Sequence, residues 1–89
     1  MAPKRIVFSP HALERMKERR ISKEMVRKAI NAPDRVERSS FRPPRFLVKK
    51  LYFNKKLKKE HLLLIILEIK QNIIEVITII DTSKISKYF

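Results

Sequence analysis

His11 and Arg15 stand four residues apart in the stretch FSPHALERMKERR, Phe8 to Arg20. On a helix that spacing puts two side chains on one face, a turn apart. An imidazole beside a guanidinium can move a proton next to a phosphate whose charge is held by the cation. That combination suits metal-independent RNA cleavage. A base takes the proton of the ribose 2′-hydroxyl, and the oxygen attacks the neighbouring phosphate. Cations stabilise the charge that develops, and an acid protonates the leaving 5′-oxygen. At the start of that helix, beside Arg15, the His11 ring is placed to accept a proton. The plainer alternative, a solvated helix-start residue, fits the same spacing.

Other chemistries find few ingredients. The chain has two histidines, no cysteine and no glycine. Disulfides and thiolates are therefore excluded, and no metal-ligand spacing is visible. A glycine-rich phosphate loop cannot form, which argues against nucleotide-fuelled reactions. No cofactor and no metal are expected. His61 follows Glu60 and reads as structural or solvated.

The elements that must position His11 and Arg15 are legible by pattern. Residues 4–8 form a short extended entry. Ser9 is an N-cap and Pro10 a first helical residue, and this helix ends near Arg20. Ala12, Leu13 and Met16 make its apolar stripe; His11, Arg15 and Glu18 fall on another face, with Arg19 at the edge. Ser22 caps a second helix, Lys23 to Asn31, with Met25, Val26, Ala29 and Ile30 inward, and Pro33 stops it. Arg35 to Ser39 is a weak, polar strand candidate. SFRPPRF is a loop held extended by Pro43 and Pro44. Phe46 to Phe53 reads as a strand, NKKLKKE as a basic hairpin loop, and His61 to Ile69 as a strand buried on both faces. Gln71 and Asn72 turn the chain into a last strand, Ile73 to Ile80. Asp81 to Phe89 is a tail that can fold back as one helical turn. The expected fold is α+β, a single domain over residues 1–89. Two N-terminal helices pack on one face of a three- to four-stranded antiparallel sheet. The second sheet face then needs a cover from a partner, a dimer mate or the tail.

Charge narrows the partner. Lysine and arginine number 22 against 9 acidic residues, a formal net charge of +13. All nine arginines lie at or before Arg45. Arginine binds phosphate through a planar fork, so the first half supplies the expected phosphate-facing surface: Arg19, Arg20, Arg42 and Lys49. A merely solvated basic face is the competing explanation. No secretory leader is visible, and Leu62 to Leu67 is too short to span a bilayer. The expectation is a cytoplasmic protein with no membrane role.

The stretch FSPHALERMKERRISKEMVRKAINAPD, followed by an arginine-bearing strand, two apolar strands and VIT, resembles a family of small domains. That family opens S-P-H-A-x-x-R-M-x-x-R-x-I-S, closes on an apolar strand ending in I-T, and is grouped with the RelE/ParE toxin superfamily. The resemblance is specific over the first thirty-four residues and a matter of pattern in the strands. It implies a barnase-like fold and a metal-independent endoribonuclease, the toxin of a toxin–antitoxin pair. By that match His11, Arg15, Arg45 and Thr78 form the site. The partners implied are RNA, including RNA on the ribosome, and a small acidic antitoxin-like protein; self-association stays open. The family pattern commonly has glycine where Arg20 stands, and ParE-type members are not ribonucleases, so a non-catalytic nucleic-acid-binding module or a basic interaction protein remains the alternative. Thr78 also reads as a β-branched core residue, and Arg45 as a loop anchor.

Overall fold

The computed structural model describes residues 5–39 and 45–89. The order is β1 (Arg5–Phe8), α1 (Pro10–Arg19), α2 (Lys23–Asn31), β2 (Arg35–Arg38), β3 (Arg45–Asn54), β4 (Lys59–Lys70), β5 (Ile73–Thr82) and α3 (Ile85–Tyr88). The strands form one five-stranded sheet in the order β1-β5-β4-β3-β2.

This corrects the expected three- to four-stranded antiparallel sheet under two helices. The sheet is mixed, because β1 runs parallel to β5, with Arg5 opposite Ile73 and Phe8 opposite Val76. The other pairings are antiparallel. Within the extended entry, Arg5–Phe8 became a strand because α1 packs back on β5 and carries the preceding residues to that edge. Arg5 N–H donates to Asn72 C=O at 3.1 Å and Ser9 N–H to Val76 C=O at 3.0 Å. Polar β2 is exposed throughout; it holds its edge position through the ladder to β3, not through burial.

Both helix starts follow their caps. Ser9 Oγ accepts from Ala12 N–H at 3.0 Å and Ser22 Oγ from Met25 N–H at 3.1 Å. Ser9 Oγ also donates to Ile77 C=O at 2.7 Å. That carbonyl is free because the β4–β5 register shifts between Ile66 and Leu67, leaving Ile77 as the extra residue of a bulge. At its other end α1 closes in a Schellman arrangement: Ile21 N–H donates to Met16 C=O at 2.9 Å, and Arg20 N–H reaches Lys17 C=O at 3.3 Å. The pivot residue Arg20 is left-handed, with φ 55°.

The core lies between the helices and one sheet face, where Ala12, Met16, Val26 and Ala29 meet Val48, Leu63, Ile65, Leu67, Val76 and Ile79. Strand alternation sends Leu62, Leu64, Ile66, Lys49 and Leu47 to the other face. There α3 lies against β4. Phe89 C=O accepts from Arg35 and from Lys49 Nζ, and the Arg35 guanidinium sits 4.7 Å from the Phe89 ring centre. Lys49, Leu62 and Leu64 are buried on this side, while Ile80 stays exposed. The tail therefore supplies part of the cover that the second face needs.

Candidate nucleic-acid interface

The exposed face of α1 carries the first two expected site residues. His11 and Arg15 are both solvent-exposed. Arg15 pairs with Glu18 at 3.7 Å, so the imidazole, guanidinium and carboxylate follow one another along a single strip. At 1.5 Å per residue the strip is about 10 Å long.

The strip ends at a cleft of about 520 Å³. One wall is the end of α1 and the turn after it, through Glu18, Arg19, Arg20 and Ile21; the other is the β3–β4 turn, through Asn54, Lys55, Lys56 and Leu57. Tyr52, Met25 and Asp81 also line it. Local sequence explains both walls. The Schellman turn throws Arg20 outward, and Asn54 Oδ1 accepts from Leu57 N–H at 3.0 Å, tightening the hairpin that displays the lysines.

Behind the cleft lies a polar cluster that the sequence concealed. Tyr52 pairs across the sheet with His61, and Asp81 lies diagonally next to them on β5. Tyr52 O–H donates to Asp81 Oδ1 at 2.6 Å, and His61 Nδ1 lies 3.1 Å from the same oxygen. The Tyr52 and His61 rings meet edge to face, with centres 5.9 Å apart. Burial, and then the hydrogen bond to Asp81, push the Tyr52 phenol well above its usual value. It stays a neutral donor. His61 is buried, with side-chain exposure of 7%, and its Nε2 has no hydrogen-bond partner among the described residues. The structural alternative for His61 thus holds in place, against the solvated one.

The remaining expected residues fall elsewhere. Arg45 and Thr78 do not join His11 and Arg15. The register aligns Thr78 with Ile66 and Ile66 with Leu47. Thr78 and Arg45 therefore share the face turned away from the two large helices. Arg45 Nε donates to Glu68 at 2.8 Å, and this hydrogen bond, against some desolvation, holds the Glu68 carboxyl below its ordinary range. Lys49, expected among the nucleic-acid contacts, is buried and paired with Glu37 at 2.8 Å. Arg19 and Arg20 are exposed at the cleft. Arg42 lies outside the described residues. Lys55 and Lys56 escaped the sequence reading because a lysine-rich turn looks like any solvated loop; only their position opposite Arg19 and Arg20 singles them out. Among the described residues no three His, Cys, Asp or Glu side chains are grouped to hold a metal, and no helix is long and apolar enough to cross a membrane.

A family model described as a domain of unknown function, DUF4258, matches residues 8–85. No curated protein and no solved structure matches the chain.

Proposed function

The chain belongs to the DUF4258 family, and from that premise and the geometry of α1 we propose that it binds RNA and cleaves it without a metal, as the toxin of a toxin–antitoxin pair. The observation that carries this reading is the exposed strip of His11, Arg15 and Glu18, which opens onto a cleft rimmed by Arg19, Arg20, Lys55 and Lys56. His11 takes the 2′-hydroxyl proton. Arg15, oriented by Glu18, bears the charge that develops on the phosphate. His11 is open to solvent, so water can reprotonate the leaving 5′-oxygen. The four cations of the cleft hold the neighbouring phosphates, and the net charge of +13 draws the polyanion in.

A second reading, RNA binding without cleavage, is favoured by one observation: Arg45 and Thr78 lie on the far face, so the four expected site groups do not converge on one phosphate.

Incubation with a single-stranded RNA in excess chelator separates the two. The cleavage reading expects cut product, lost at least a hundredfold in His11→Ala and in Arg15→Ala, with unchanged circular dichroism because both side chains are exposed. Undiminished cutting by both variants, or a strict need for Mg²⁺, overturns that mechanism. Binding with no product from the native protein selects the second reading. In either case log affinity should fall linearly with log salt, at about 0.7 per phosphate contact on a single strand. Affinity indifferent to salt would end the RNA reading.

A further inference from the structure

The cleft is built for more than phosphate. Its walls are basic, but Ile21, Met25, Leu57 and the Tyr52 ring give it apolar surface, and Asp81 adds a carboxylate. A phosphate gains nothing from apolar walls and is repelled by a carboxylate. We propose that the cleft takes an unpaired nucleobase, so that the RNA it holds is single-stranded at the contacted nucleotide. The proposal rests on the RNA reading above and adds the substrate class.

Three features support it. The volume, about 520 Å³, lies in the roughly 300–1,000 Å³ range of sites that enclose small ligands. The cations come from two separate segments, Arg19 and Arg20 after α1 and Lys55 and Lys56 in the hairpin. A base between them has its flanking phosphates within reach of either side. Finally, among the described residues both hydrogen bonds to the Asp81 side chain, which is 8% exposed, end on Oδ1. Oδ2 is left to accept from an amino or imino N–H, the kind of group a base edge presents. The neutral Tyr52 phenol and His61 fix that carboxylate in place. In a duplex the base is stacked and its pairing edge occupied, so it cannot enter; splayed single strands are where proteins take bases this way.

The test compares affinities for a short RNA oligomer as a single strand, as a perfect duplex, and as a single strand with one abasic position. The single strand should bind at least tenfold more tightly than the duplex, and the abasic oligomer should lose about tenfold, the size of one base–side-chain stacking contact. Leu57→Ala alters a hairpin side chain that is 55% exposed, which leaves the core intact. It should weaken the single strand several-fold, spare the duplex, and keep the salt slope. Lys55→Ala should instead lower the slope. Equal affinity for single strand and duplex, or an abasic oligomer that binds like its parent, overturns the base pocket while leaving RNA binding standing. No RNA binding at all removes the underlying reading first. Protection of Leu57 and Ile21 resonances by an acidic peptide but not by RNA assigns the cleft to a protein and overturns the proposal.

Discussion

At Arg20 the backbone and the side chain want different things. A non-glycine residue in the left-handed region costs about 1 kcal/mol. Arg20→Gly should therefore stabilise the protein by about 1 kcal/mol, read as a higher denaturant midpoint, while weakening RNA binding and lowering its salt slope by about 0.7. A gain in stability with unaltered RNA affinity would place the Arg20 guanidinium outside the interface. Glu68 offers a separate check. Arg45 depresses its carboxyl in the folded state, so the pair contributes stability above the ordinary carboxylate range and loses it as pH falls through the folded value. Glu68→Gln should flatten the acid limb of a stability–pH curve and lower the plateau above it. An acid limb unchanged by the substitution would mean that the exposed Arg45 side chain contributes too little to measure. Individual residues were legible where chemistry is local. Ser9 and Ser22 declare themselves by type and neighbours, and both cap as their sequence predicts. The Tyr52–Asp81–His61 cluster was not legible, because its members stand up to 29 residues apart and only strand register brings them together.

The elements follow the same division between local and distant causes. Helix limits are set within a turn of the residue that causes them, so α1 and α2 match their signals closely. The two edge strands differ. β2 falls on the weak, polar candidate Arg35 to Ser39, whereas nothing within Arg5–Phe8 distinguishes a strand from a connecting segment; β1 exists because a distant ladder accepts it. The turns in NKKLKKE and at Gln71 and Asn72 were legible, but which residue turns left-handed was not, since the chain uses Arg20, Lys58 and Gln71 where glycine would have marked it. The start of α1 joins local and distant causes through Ser9, which caps its own helix and also donates to the β5 bulge. Ser9→Ala loses a cap worth about 1 kcal/mol and a part-buried hydrogen bond worth about 1 kcal/mol. The expected loss is thus about 2 kcal/mol by urea denaturation, against about 1 kcal/mol for Ser22→Ala, whose hydroxyl only caps. Equal losses would mean the link from Ser9 to Ile77 carries no weight.

Across the whole molecule the sheet divides two kinds of surface. One side is sealed by α1 and α2 and ends in the basic cleft. The other is sealed only in part, by α3 and Phe89. The need for that cover was readable, because β4 is apolar at both parities; the mode of cover was not, since it depends on Arg35 and Lys49 meeting the Phe89 carbonyl. Removing residues 84–89 should uncover Leu62 and Leu64 and strip Lys49 of one partner. The shortened protein should bind an apolar dye and elute earlier in size-exclusion chromatography. A shortened protein that stays monomeric and dye-free would mean the sheet needs no cover there. If an acidic partner exists, the still-exposed Ile80 beside this tail offers it an apolar foothold, and the charge of +13 supplies the attraction.

The link between β1 and β5 also sets a clock. Ser9 leaves the ribosome 68 residues before Ile77, the carbonyl it must meet. At about 5–20 residues per second, synthesis imposes a wait of roughly 3 to 14 seconds. Throughout that interval β1 has no strand to join and α1 no sheet to rest on, so the helix face bearing His11 and Arg15 is not yet held in place. On the ribonuclease reading, the nascent chain is harmless to the message that encodes it until β5 has been made.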